Sequence, residues 1–296
     1  MQLTNRREFV GLLPAMAAAS AALGNAAPAK IPVGGHPWVY AAVQPRQDPY
    51  PVLDQIFSDM SYAGLDGVEL MDNVMRHDDS VDLVRGLSHK YNLPVIGMSY
   101  SAAMWDSSRH AAQLEDAAKI LGRLKEVGGH TLGTSVGQSR TKKTPEQFDA
   151  QADYLRKLIA LCKTNGVQLN LHNHTYEVAD HEYDLKGTLA RIPDVKLGPD
   201  LDWLQFGGVD PVDFIQRYNK RIVYAHLRDR KSDGTWPEAM GEGNLDYAAY
   251  GRAFRTVVFK GILTIELAHP NNFKLTRPLR ESLKMSREYV RKVMGY

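Results

Sequence analysis

The sequence predicts an α/β protein folded as a single (β/α)8 TIM barrel. Eight short apolar runs of strand character alternate with segments of helical period along the chain, and alternation of this kind predicts a parallel sheet. Eight repeats over about 250 residues match the size and count of such a barrel. No G-x-G-x-x-G follows the first run, which weakens the alternative, an open doubly wound dinucleotide fold.

The strand-like runs are Trp38–Val43, Gly67–Met71, Pro94–Tyr100, Thr131–Val136, Val167–His172, Val195–Leu201, Ile222–Leu227 and Ile262–Leu267. Between them, Leu53–Ala63 places Leu53, Ile56, Phe57 and Met60 on one helical face. Val81–Tyr91, Ala111–Val127, Pro145–Asn165, Pro211–Tyr218, Tyr247–Val258 and Pro278–Met294 read the same way, and Tyr183–Ile192 has the faintest pattern. Thr144-Pro145-Glu146-Gln147 is a helix start, with a capping residue, proline at the first helical position and an acidic first turn. Asp210-Pro211 repeats the device, and Gly64, Gly128 and Gly166 stand where a left-handed residue ends a helix.

Composition narrows the function. The 296 residues are 44% hydrophobic and 24% charged, which is ordinary for a globular enzyme. The net charge of +2, with no basic block, gives no reason to expect a nucleic-acid partner. The single cysteine, Cys162, has apolar helical neighbours and reads as core filler, and one cysteine precludes an internal disulfide. Residues 1–29 read as an export signal and 30–296 as the barrel. Asn5-Arg6-Arg7-Glu8-Phe9 precedes a short Ala-rich apolar run, with Ala27-Pro28-Ala29 as a cleavage site. The paired arginines resemble a twin-arginine signal. The expectation is a periplasmic or secreted protein that is free of the membrane once the signal is removed. A homo-oligomer is left open.

Chemistry concentrates at the ends of the last four runs. Leu171-His172-Asn173-His174-Thr175-Tyr176-Glu177 closes the fifth, Pro199-Asp200-Leu201-Asp202-Trp203 the sixth, His226-Leu227-Arg228-Asp229 the seventh, and Ile265-Glu266-Leu267-Ala268-His269 the eighth. Strand residues two apart share a face, so His172 and His174 project together. The C-terminal strand ends are where barrel active sites lie. His172, Asp200, His226 and Glu266 converging there make a divalent site of mixed nitrogen and oxygen donors. Such a set suits Mn, Co, Fe or Zn, with Mg less favoured. Glu266, inside an apolar strand, must be paired, coordinated or protonated to be tolerated. Glu69 on the second run is expected to line the same mouth. Trp203, beside Asp200, is the best of four tryptophans for stacking a sugar ring.

With Gly207-Gly208-Val209-Asp210-Pro211 and Gly241-Glu242-Gly243, these segments resemble the sugar phosphate isomerase/epimerase group of xylose-isomerase-like TIM barrels, over essentially all of the mature chain. The resemblance implies one divalent metal held by His172, Asp200, His226 and Glu266. It favours Asp200 over Asp202 because an aromatic residue, Trp203, lies three positions on. It places Arg228 where the family has a lysine, to hold substrate. It also exposes a departure, since the family's 3-epimerases use two facing glutamates and here the fifth-run position is His172. His174 and Glu177 are then the candidates for the second acid/base beside Glu266. The implied activity is an exported, metal-dependent carbohydrate isomerase or epimerase that abstracts a proton next to a carbonyl. Elimination from keto-sugar glycosides on the same site is an alternative, and a non-catalytic sugar-binding barrel is another. Apurinic endonuclease activity, known on this barrel, is disfavoured by the charge and the signal.

Overall fold

The computed structural model describes residues 31–270 and 273–296, so the expected export signal lies outside the described residues. Seven parallel strands form one sheet: β1 (Val33–Gly35), β2 (Val68–Met71), β3 (Val95–Ser101), β4 (Thr131–Ser135), β5 (Gln168–Leu171), β6 (Tyr224–Leu227) and β7 (Ile262–Ile265). Their order is β5-β4-β3-β2-β1-β7-β6. Residues 195–200 sit between the two ends of that order. Leu197 bridges Leu171 on one side and Ile222 on the other, and Asp200 bridges His226. The sheet is therefore a nearly closed barrel with helices outside it.

The sixth predicted run has strand-like pairing without a full ladder, and its residues explain this. Pro199 has no N–H to donate. Asp200 turns at once into the helix Leu201–Phe206, its carboxylate accepting the Trp203 N–H at 3.0 Å. Gly198 is required by crowding, because a Cβ there would lie 1.9 Å from Asn170 Oδ1.

The first predicted run is corrected. Trp38–Ala41 is one helical turn, and the first strand is Val33–Gly35. Val39, Tyr40 and Ala41 are all buried, which the sequence pattern imitated as a strand. The true strand is short and rich in glycine, so it carries no hydrophobic pattern to read.

The helices otherwise follow the sequence closely. Thr144 and Gln147 form the expected capping box ahead of Pro145–Thr164, and Asp210 accepts from Val212 N at 2.7 Å. The faint helix before Ile192 runs Thr175–Arg191, interrupted by non-helical backbone at Ala179, Asp180, His181 and Glu182. Among the described residues, no helix is long and apolar enough to cross a membrane.

Most of the core lies between the strands and the helices, anchored by residues such as Phe57, Leu70, Tyr154 and Phe254. A smaller cluster, Ile96, Tyr224 and Ile262, belongs to the barrel interior. The period-2 alternation then decides what stands above it. Tyr224, His226 and Arg228 follow one another up one side, with Ile262, Thr264 and Glu266 beside them. Tyr224 Oη donates to Glu69 Oε2 at 2.7 Å. β1 and β7 separate β2 from β6 in the sheet, so this contact crosses the interior. Glu69, Tyr224 and Thr264 thus form a buried polar layer beneath the mouth.

Candidate active site

A cavity of about 430 Å³ opens at the C-terminal ends of the strands. Its lining includes His36, His172, His174, His226, Arg228 and Glu266. His172, Asp200 and His226 each present a donor atom, and these atoms lie within 4.8 Å of one another. Glu266 joins them through Oε2, 3.5 Å from His226 Nδ1. The structure therefore brings together three of the four residues expected to hold a metal, with Glu266 beside them against His226.

The electrostatics follow from close pairs in a dry setting. His226 Nε2 meets Glu69 Oε2 at 2.7 Å, and its Nδ1 faces His172 Nδ1, also at 2.7 Å. Burial alone would lower the His226 pKa, but Glu69, Glu266 and Asp200 outweigh it and raise it to about 9. His172 is pushed well below its ordinary value by burial and by His226. The two shifts run in opposite directions, so the pair favours charge on His226 over His172.

Arg228 is buried and bridges the carboxylates. Its Nη2 lies 2.7 Å from Asp200 Oδ2 and 2.8 Å from Glu266 Oε1, and its Nε donates to Asp200 Oδ2 at 2.9 Å. Burial would raise the Glu266 pKa, but Arg228, His36 and His226 hold it at about 2, so it is ionised. Burial pushes Asp200 upward against the pull of Arg228. One resident guanidinium thus balances part of the acidic charge.

The donor set fits a divalent cation of borderline hardness, with two imidazole nitrogens and two carboxylates converging and no sulfur. Glu69 supplies a carboxylate behind His226, the arrangement that fixes the ring of a ligating histidine in metal sites. Glu69 is 1% exposed and its carboxylate is turned to His226 and Tyr224. It thus lies one layer below the expected place in the mouth lining. Glu69→Gln should weaken divalent-metal binding about 10- to 100-fold, measured by titration calorimetry with Mn²⁺ or Zn²⁺. An unchanged affinity would show that His226 is oriented without it.

Of the two candidates for the second acid/base, only His174 reaches the cavity. Its Nδ1 lies 3.0 Å from Ser135 Oγ, and its ring stacks on Tyr176 at 5.6 Å. Burial and the nearby Arg228 lower its pKa to about 4. Glu177 instead reaches back to cap its own helix, accepting the His174 N–H at 2.7 Å. It lines a small separate cavity behind His172, together with Asp184. Burial pushes its carboxyl up to about 8 from an ordinary 4.5. The folded chain then keeps a proton there that the unfolded chain has lost above about pH 4.5. This contribution to stability is complete below that pH and is lost as pH rises towards 8, at roughly 1.4 kcal/mol per unit. Glu177→Gln keeps an acceptor for the cap and should remove that slope. Urea midpoints of both proteins at about pH 5.5 and 7.5 decide the matter, and parallel slopes would refute it.

Three residues of the lining were not assigned to the site from the sequence. His36, at the end of β1, donates or accepts at Ser99 Oγ (2.9 Å), and its Nδ1 accepts from Trp38 N at 3.1 Å. Its Nδ1 lies 3.7 Å from Glu266 Oε1. It was missed because β1 was placed five residues late. Trp236 lines the cavity from a long loop that sequence periodicity cannot place. His269 also lines it, with a buried Nε2 that has no partner among the described residues. The name of its run, Ile265–His269, was the available signal. Trp203 and Arg228 line the cavity where they were expected.

The comparisons with known proteins agree with the fold. An inosose dehydratase from Geobacillus kaustophilus is 26% identical over 254 residues, covering 80% of this chain and 78% of the relative. An inosose dehydratase from Clostridium perfringens is 22% identical, covering 80% and 89%. Among solved structures, a D-allulose 3-epimerase from Methylomonas sp. in complex with D-allulose superposes with a TM-score of 0.72 at 17% identity, covering 89% of this chain and 97% of that one. A 3-keto-D-glucoside 4-epimerase from E. coli gives 0.65 at 16% identity, covering 90% and 100%. The model of the xylose isomerase-like TIM barrel family matches residues 57–289, and the chain belongs to that family.

Proposed function

We propose that the protein is a divalent-metal-dependent enzyme that removes the proton beside the carbonyl of a cyclic keto-sugar and completes an elimination. The observation that carries this reading is the single glutamate of the mouth. Among the described residues lining the cavity, Glu266 is the only glutamate, and His172 stands where a second would face it. A symmetric exchange of one proton between two glutamates is therefore not available. The curated relatives named as inosose dehydratases support the same class.

A divalent cation held by His172, Asp200, His226 and Glu266 would polarise the substrate carbonyl and acidify the neighbouring C–H. Arg228 holds the oxygen on which charge develops and keeps Glu266 oriented. Glu266 takes the proton, and the C–H electron pair becomes the new C=C bond. The C–O bond beyond it breaks, and the departing oxygen takes a proton passed through His174 and Ser135. Atoms balance as keto-sugar giving enone plus water or alcohol.

Inosose and a 3-keto-glucoside are the first substrates to test, with enone absorbance and proton NMR identifying the product. Enone formation supports elimination. Recovery of an epimer alone would return the reading to epimerisation, the activity named for several structural neighbours. We further propose that the chain is exported through its paired arginines. Arg6→Lys/Arg7→Lys protein should then stay in the cytoplasmic fraction, whereas unchanged export would exclude that route.

A further inference from the structure

The cavity has a second end that the proton-transfer chemistry does not use. Trp203 and Trp236 both line it, with ring centroids 5.7 Å apart and planes at 89°, so they form a corner. The corner is held by its own polar edges. Trp236 Nε1 donates to Asp202 Oδ2 at 3.1 Å, and Arg230 donates to both oxygens of Asp202 at 2.6 Å. The loop that carries Trp236 is tied down as well. The Asp229 carboxylate accepts from the backbone N–H groups of Gly241, Gly243 and Leu245 at 2.8, 2.9 and 3.3 Å. A Cβ at Gly243 would lie 2.2 Å from Asp229 Oδ1, so glycine is required for that cradle.

The charge of the corner selects its ligand. The Arg230 guanidinium already lies 5.1 Å from the Trp203 ring, 4.9 Å from Trp236 and 4.2 Å from Phe206. An internal cation thus fills the place that a cationic ligand would seek on these faces. Asp202 neutralises that cation in turn, which leaves no net charge to attract an anion. What remains is a rigid apolar surface suited to the face of a neutral ring.

Its position fixes which ring. Trp203 follows Asp200 by three residues and donates its backbone N–H to that carboxylate at 3.0 Å. Its ring lies 6.1 Å from His174, the group placed to protonate the departing oxygen. A ring on this corner is therefore attached through the oxygen that leaves. We propose that the Trp203–Trp236 corner is a subsite for the aglycone ring of a keto-glycoside, a second sugar or an aryl group. This rests on the elimination reading above, and makes the leaving group an alcohol ring rather than water. The proton beside the carbonyl goes to the enzyme, its electron pair forms C=C, the glycosidic C–O bond breaks, and the aglycone oxygen is protonated.

The test separates binding from turnover. Titration of the metal-loaded protein with unreactive phenyl and methyl β-glucosides reads the subsite without chemistry. The phenyl glucoside should bind about tenfold more tightly, Trp236→Ala should reduce that preference to about twofold or less, and Trp236→Phe should restore most of it. Equal binding of the two glucosides by the wild-type protein overturns the subsite, as does a preference that survives both Trp236→Ala and Trp203→Ala in variants with native circular dichroism. Enone formation from the matching 3-keto-glucosides reads the reaction separately. A phenyl preference in binding with no enone would leave the subsite standing and sink the elimination.

Discussion

Glu266→Gln should abolish exchange of the substrate's α hydrogen with deuterium, a loss of at least ~10²-fold if the carboxylate is the general base. The residue is buried against His226 and Arg228 at the end of a strand whose position is set by pairing on both sides. Glutamine keeps that size and can still accept from Arg228, so folding should survive. The change removes the charge that takes the proton. Arg228, His36 and His226 hold the Glu266 carboxyl at about 2, which is low for a base near neutral pH. A substrate oxygen that draws the guanidinium away raises its basicity at the moment of reaction. Full exchange by Glu266→Gln protein that still binds metal would identify another base, with His174, His36, His269 and Asp72 among the candidates on the cavity wall.

Asp200→Ala and His226→Ala should each lose the bound divalent ion, taking metal content from about one per chain to near zero by elemental analysis. His226 contributes a nitrogen that Glu69 turns into the centre, and Asp200 is fully buried at the same point. Asp200→Ala also leaves Arg228 with Glu266 as its one remaining carboxylate partner at the mouth, and breaking a buried ion pair costs on the order of 3–5 kcal/mol. His226→Ala likewise takes the buried partner from Glu69, so thermal unfolding is run alongside for both variants. Metal content equal to the wild type in both variants would leave the imidazoles as parts of a proton network and not a metal centre.

Much of this arrangement was legible in the sequence, for a reason that can be traced residue by residue. In a barrel, alternation assigns the face of each strand residue, and strand ends assign the mouth. His172, His226 and Glu266 needed only those two rules. Asp200 needed the helix start as well, since it caps Leu201–Phe206 while it faces the centre. Depth was not legible. Glu69 shares the inward face, but how high it stands depends on strand stagger, which sequence does not display. Glu177 lies in the segment that closes the fifth run, three residues after His174, and so was a candidate for the second acid/base. That spacing is also the spacing of a capping pair, and the backbone N–H of His174 claims it. His36 was hidden by a strand of three residues, two of them glycine. Trp236 came from a loop fixed by Asp229, a tertiary device with no local signature.

The account stands most directly on proton NMR of a keto-sugar incubated in heavy water with metal-stripped and with metal-loaded protein. The loaded protein should wash out the signal of the hydrogen next to the carbonyl and build up an enone, and the stripped protein should do neither. A loaded protein that binds the sugar yet leaves that signal intact would contradict proton abstraction and make the barrel a binding protein.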